Sequence, residues 1–120
     1  MKLTAVLVAG TLLTVSDVAP LIVSDEAENI TDLLANRASQ TPNHAIYSRE
    51  LTPGTWTNVS AADFQAEVVS VAKGLIAAGI QAGQTVAIMS RTRYEWTVLD
   101  FAIWYAGAIP VPVYESSAPS

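Results

Sequence analysis

Residues 85–113 read TVAIMSRTRYEWTVLDFAIWYAGAIPVPV. Thr85 to Ser90 is a nearly continuous apolar run, which predicts a strand buried on both faces. Arg91-Thr92-Arg93 follows directly. Tyr94 to Ala106 has the length of a helix and is apolar almost all round, so it predicts a helix enclosed by other elements. Gly107 stops it. Ala108 to Val113 is a second strand. Strand, helix and strand with short joints make a βαβ unit, whose strands pair in parallel through a right-handed crossover. Pro110 and Pro112 lie two residues apart, so their missing N–H groups fall on one side. That marks the second strand as an edge or an irregular one.

Upstream, Gln81 to Gln84 is a loop and Gly79 ends a helix. Phe64, Val68, Val71 and Leu75 recur at helical spacing and form its apolar face. Asp63, Glu67, Ser70 and Lys73 form its wet face. Ser60 caps that helix, with Asp63 three residues on, where an acid reaches back. His44 to Glu50 and Thr55 to Val59 read as two strands around the turn Thr52-Pro53-Gly54-Thr55, a β-hairpin. Before the hairpin, Asn29 or Thr31 caps a helix running to about Ser39, with Ile30, Leu33, Leu34 and Ala38 on one face. Thr41-Pro42-Asn43 ends it. Val18 to Val23 reads as a short extended piece confined to an edge by Pro20. Asp25, Glu26 and Glu28 read as a solvated linker that also favours the following helix N-terminus. Tyr114 to Ser120 is a polar loop.

Composition sets outer bounds. The chain has 120 residues, 6 Lys+Arg against 11 Asp+Glu, a net charge of −5, one His and no Cys. An acidic chain is a poor partner for a nucleic-acid backbone. Without Cys there is no disulfide, thiolate nucleophile or Cys-based zinc site, and a lone His removes any two-His metal motif. Charged residues make up only 14 %, against about 25 % in a typical soluble domain. From Ser70 to Tyr114 the charges are Lys73, Arg91, Arg93, Glu95 and Asp100. A chain of this size buries only about 65 % of its unfolded surface and needs polar cover. This stretch lacks it. The expectation is either a membrane setting or a larger protein whose remainder covers these faces.

Met1 and Lys2 precede the apolar run Leu3 to Val15, the outline of a signal peptide. The run is too short for a membrane-spanning helix. Its cleavage signal is poor, because Asp17 stands where a small residue is wanted and Pro20 follows Ala19. The other reading is a β-rich lead-in, since Thr and Val are frequent. Trp96 to Val113 is interrupted by Asp100, Gly107, Pro110 and Pro112, so it is not a membrane span.

The glycines at 10, 54, 74, 79, 83 and 107 do not cluster, and no glycine-rich loop joins a strand to a helix. A nucleotide site complete within this chain is therefore not expected. Arg91 and Arg93 follow a parallel strand at a helix N-terminus, where open α/β sheets bind ligands. Two cations there oppose the helix dipole and call for an anion: Glu95, Asp100, another segment or a ligand. An internal salt bridge is the plainer expectation. His44 has no acidic or serine partner at a recognisable spacing. Asp100 is expected to pair with an arginine or cap a neighbour. Trp96, Phe101 and Trp104 read as packing aromatics. Ser116 and Ser117 lack any nucleophile context. No catalytic, cofactor-binding or metal-binding residue is assigned.

The ordered segments carry a resemblance. WTNVSAADFQAEVVSVAKGLIAAGIQAGQTVAI, TRYEW (Thr92 to Trp96) and AGAIPVPVYESS (Ala106 to Ser117) resemble the start of adenylate-forming enzymes, the AMP-dependent synthetases and ligases. The nearest likeness is to bacterial long-chain fatty-acid–CoA ligases. Acyl-AMP ligases and peptide-synthetase adenylation domains share the general pattern. The resemblance runs from Val18 to Ser120. It implies residues 18–120 as the truncated start of an AMP-binding (adenylation) domain and residues 1–17 as an extension or signal-like segment. The implied fold class is α/β, an incomplete N-terminal part of a larger adenylate-forming fold. For the full-length parent it implies ATP, Mg and coenzyme A as cofactors and a fatty acid as substrate. The partner of this segment is then the rest of its own polypeptide, and a nucleic acid is not expected. The implied location is cytoplasmic, with at most peripheral membrane contact. The segment is expected to be inactive alone, because the family's phosphate loop, acidic Mg-linked residue and hinge lie downstream. The alternative from a different class is a small secreted α/β binding module led by residues 1–19.

Overall fold

The computed structural model describes residues 4–8, 11–15, 29–114 and 116. Strands β1 (Thr4–Val8) and β2 (Thr11–Val15) pair antiparallel, with Thr4 opposite Val15 and Val8 opposite Thr11. Within the N-terminal apolar run, residues 4–8 and 11–15 are extended, as their Thr and Val content favours. The extended piece 18–23 and the acidic residues 25–28 lie outside the described residues.

Helix α1 (Ile30–Gln40) starts at Asn29 through a complete capping box. The Asn29 side chain accepts from the backbone N–H of Thr31 (2.9 Å) and Asp32 (3.2 Å), while the Asp32 carboxylate accepts from the Asn29 N–H at 3.1 Å. These bonds satisfy N–H groups that have no partner inside the helix. Leu34 and Ala38 are buried, but Ile30 and Leu33 are exposed. The expected apolar face is narrower than its periodicity, because α1 packs against the rest only along one stripe.

Strands β3 (Ala45–Thr52) and β4 (Thr55–Ser60) form the expected hairpin. Gly54 takes φ +80° in the turn, where an L side chain is disfavoured. Helix α2 (Ala61–Ala77) follows at once. The Ser60 hydroxyl accepts from the Asp63 N–H at 3.1 Å and donates to the Asp63 carboxylate at 2.7 Å. Phe64 and Val68 are fully buried, with Ala61 and Ala72 beside them. Glu67, expected on the wet face, is half-buried and bonded to its neighbours. Gly79 then ends α2 with a Schellman closure, donating to Ile76 O while Ile80 N–H donates to Leu75 O.

Strands β5 (Thr85–Met89) and β6 (Ile109–Val113) pair in parallel around helix α3 (Tyr94–Tyr105), the expected βαβ unit. Gly107 closes α3 like Gly79 closes α2, with Gly107 N–H on Trp104 O and Ala108 N–H on Ile103 O. The fold class is α/β, as the sequence implies.

Helix α3 joins two cores, which explains its all-round apolarity. One flank carries Val98, Phe101, Ala102 and Tyr105 into a core with Leu34, Val59, Phe64, Val68 and Ala72. The other carries Trp96, Leu99 and Ile103 against Ile88, Val86 and Ala108. The remaining stripe, Thr97, Asp100 and Trp104, is half-exposed. Asp100 has no arginine partner and caps nothing among the described residues, contrary to expectation. It sits on the stripe that neither core covers. Tyr105 ties the first core to α1, donating its hydroxyl to Thr31 O at 3.0 Å.

Strand β5 also departs from its pattern. Ile88 is buried and Val86 half-buried, but Ala87 and Met89 are exposed. Only the face toward α3 is covered. The opposite face, including Ile109 and Val111 of β6, is open. Ile109 N–H donates toward β5, to Gln84 O at 2.8 Å. Pro110 and Pro112 therefore turn their donor-less sides away from β5, as an edge strand requires.

Candidate functional site

Parallel strands place their C-terminal ends at one edge of the sheet, and the register puts Met89 of β5 beside Val113 of β6. The chain leaves β5 through Ser90-Arg91-Thr92 and enters α3 at Arg93. It leaves β6 through Tyr114. These exits line an open cleft of about 630 Å³. Ser90, Arg91, Thr92 and Trp96 form one wall, and Pro112, Tyr114 and Ser116 the other. The position is where open α/β sheets bind ligands, outside the carboxyl ends of the strands beside a helix N-terminus.

The two arginines diverge. Arg91 is exposed and lines the cleft. Arg93 is turned to the other side of the helix start, where its Nε lies 2.6 Å from Glu95 Oε2. The pair holds the Glu95 carboxyl below its ordinary range, through the Arg93 hydrogen bond first, and raises the Arg93 guanidinium in the same way. The expected internal salt bridge thus satisfies Arg93, and Glu95 is its anion. Such an exposed pair, screened by water, adds little stability.

Arg93 occupies the N-cap of α3 but makes no side-chain cap bond. The start of α3 is held from its first residue instead. The Tyr94 hydroxyl donates to Glu67 Oε2 of α2 at 2.6 Å. Its ring lies 6.0 Å from both Tyr47 and Phe64, and the Arg49 guanidinium sits over it at 4.8 Å. Arg49 Nη1 is 3.7 Å from Glu67 Oε1. Burial, then the Glu67 bond and charge, push the Tyr94 hydroxyl well above the ordinary tyrosine range.

The other residues singled out by sequence fall elsewhere. His44 is exposed and does structural work through its backbone, donating to Thr41 O at 3.0 Å and accepting from Ala61 N–H at 2.9 Å. Asp100 is half-buried, and burial raises its carboxyl above the ordinary range. Phe101 and Trp104 pack edge-to-face at 5.3 Å. Trp96 packs in the second core and lines the cleft as well. Ser116 reaches the cleft, while Ser117 lies outside the described residues. Ser90, Thr92 and Tyr114 were missed from sequence. Their signal was positional, since each directly follows one of the two parallel strands or stands in the loop after it.

The cleft does not fit a nucleotide triphosphate by itself. The loop 90–93 holds no glycine, the residue that lets a backbone approach and turn tightly around a polyphosphate. Among the described residues no group of three or more His, Cys, Asp or Glu gathers to hold a metal. Among the described residues the cleft offers one cation, several hydroxyls and two aromatic rings.

The family model described as AMP-binding enzyme matches residues 34–120. Two curated proteins, the long-chain-fatty-acid–CoA ligases FadD15 of Mycobacterium bovis and of Mycobacterium tuberculosis, are each 43 % identical to this chain over 100 residues. The matched region is 83 % of this chain and 16 % of each ligase. The fatty acid AMP ligase of Legionella pneumophila superposes with a TM-score of 0.65 at 21 % identity, over 74 % of this chain and 15 % of that one. A long-chain-fatty-acid CoA ligase of Rhodopseudomonas palustris, so described provisionally, superposes with a TM-score of 0.63 at 26 % identity, over 72 % of this chain and 21 % of that one.

Proposed function

The chain belongs to the AMP-binding enzyme family, and on that premise we propose that it is the N-terminal part of a long-chain fatty-acid–CoA ligase. Such an enzyme joins a fatty acid to the AMP portion of ATP with release of pyrophosphate, then passes the acyl group to the coenzyme A thiol with release of AMP. The observation that carries this reading is the 43 % identity to two curated ligases across most of the chain. The motifs TRYEW and PVYESS support the same choice. Residues 18–120 are the start of the AMP-binding domain, and residues 1–17 an extension or signal-like segment before it. The secreted binding module draws no support from the relatives named above.

In this reading the 120 residues are scaffold plus one wall of a ligand site. They bind no ATP and form no acyl-adenylate alone, because the phosphate-holding groups are elsewhere in the enzyme. Substrates of the whole enzyme are a fatty acid, ATP with Mg, and coenzyme A, and it acts in the cytoplasm. Among the described residues no helix is long and apolar enough to cross a membrane.

The test is a chimaera. This chain replaces the matching segment of the Mycobacterium tuberculosis ligase, and palmitate-dependent pyrophosphate exchange and thioester formation are followed. Both activities are expected in the chimaera and neither in the isolated chain. A folded chimaera without thioester formation would refute the ligase assignment, and exchange by the isolated chain would refute the scaffold assignment.

A further inference from the structure

We propose that Arg49, Glu67 and Tyr94 form a tether that fixes the segment 90–93, and with it the wall of the cleft that carries Arg91 and Thr92. The inference rests on the cleft being the ligand site, and not on the acyl chemistry assigned to the whole enzyme.

Helix starts are ordinarily locked by a side chain at the N-cap. Arg93 supplies no such bond, since its guanidinium is engaged with Glu95. An uncapped first turn frays, and here fraying would displace the cleft wall immediately before it. The bonds of Ser90 and Arg93 themselves are local, to Arg91 O and to Glu95. Tyr94 is the first residue of α3, and it is held from two other elements at once. Glu67 of α2 accepts its hydroxyl at 2.6 Å, a charge-assisted bond of the stronger kind. Arg49 of β3 lies over its ring at 4.8 Å and near the same carboxylate at 3.7 Å. Arg49 Nε is buried without a hydrogen-bond partner. The guanidinium is therefore seated for the ring and the Glu67 charge together, and not in a two-bond fork with the carboxylate. The three residues replace a cap with a long-range tie.

Hydrogen exchange of the whole 120-residue chain, resolved by mass spectrometry, tests this in Tyr94→Phe and Glu67→Gln. Tyr94→Phe keeps the ring and removes the donor. Amide exchange across 91–97 is expected to rise roughly tenfold, in line with loss of one charge-assisted bond, while α1 and the β3–β4 hairpin stay unchanged. Glu67→Gln keeps an acceptor oxygen for the phenol and removes the charge, so a smaller rise in the same segment is expected. Unchanged exchange at 91–97 in Tyr94→Phe overturns the proposal. A uniform rise through α1 and the hairpin does so too, since that is plain loss of stability. Should Tyr94→Phe fail to fold, Glu67→Gln decides by the same two criteria.

Discussion

Phe64→Ala is the perturbation that most directly probes the first core. The ring is 1 % exposed and touches rings of two other elements. Its centroid lies 4.8 Å from Tyr47 of β3, 5.6 Å from Phe101 and 6.0 Å from Tyr94, both of α3. Replacing a buried phenylalanine by alanine costs about 3–5 kcal/mol, most where the walls cannot collapse. Neighbours anchored on a hairpin and another helix cannot follow the missing ring, so the upper part of that range applies. Native domains are stable by only about 5–15 kcal/mol, so this one change removes a third or more of the total. With a urea slope of about 1–3 kcal/mol per molar, the unfolding midpoint falls by roughly 2 M. Urea titration followed by far-ultraviolet circular dichroism measures it. Trp56→Ala is the control: it removes a larger ring that is 67 % exposed, and a change within about 0.5 kcal/mol is expected. A Phe64→Ala loss below 1 kcal/mol, or an equal loss in Trp56→Ala, would show that this ring does not organise the core.

Three other sites give sharp outcomes. Gly107→Ala puts a side chain at φ +74° with its Cβ 3.3 Å from that of Ala82, so a loss of at least about 1–2 kcal/mol is expected from the left-handed backbone. Gly74→Ala lies inside α2 with open space around it, and a gain of about 0.5–1 kcal/mol in the same urea titration is expected from helix propensity. Asp100 has its carboxyl raised by burial, so the native state holds the proton more tightly than the unfolded chain. Its charge therefore destabilises the fold at neutral pH, and stability rises as pH falls through the native value toward the unfolded one. Asp100→Asn is expected to stabilise at pH 7 and to lose its advantage at pH 3. An equal gain at both pH values would contradict the burial argument.

The local grammar was readable in the chain. Ser60 with Asp63, Asn29 before Ile30, Gly79 and Gly107 after their helices, and the turn at Gly54 all act through bonds spanning a few residues. A short stretch of sequence contains every partner such bonds need, so the elements and their order follow from it. The βαβ unit was legible for the same reason, since a short joint leaves few ways to connect strand, helix and strand. The place of the cleft followed from that topology, though Ser90, Thr92 and Tyr114 did not, because ordinary polar loop residues carry no pattern.

What the fold alone decided is which surfaces meet. The apolar run of β5 reads as two-sided, yet only the side facing α3 is covered. Glu67 reads as solvated, yet it accepts the Tyr94 hydroxyl from 27 residues away. Asp100 reads as half of a pair, yet it lies on the stripe of α3 that neither core reaches. Arg93 and Glu95, two residues apart, could be paired on paper, and Arg49 over Tyr94 could not. Hydrophobic periodicity records that a face is apolar. Whether that face is buried, and what charge stands opposite, depends on elements distant in sequence, and only the packed chain brings those together.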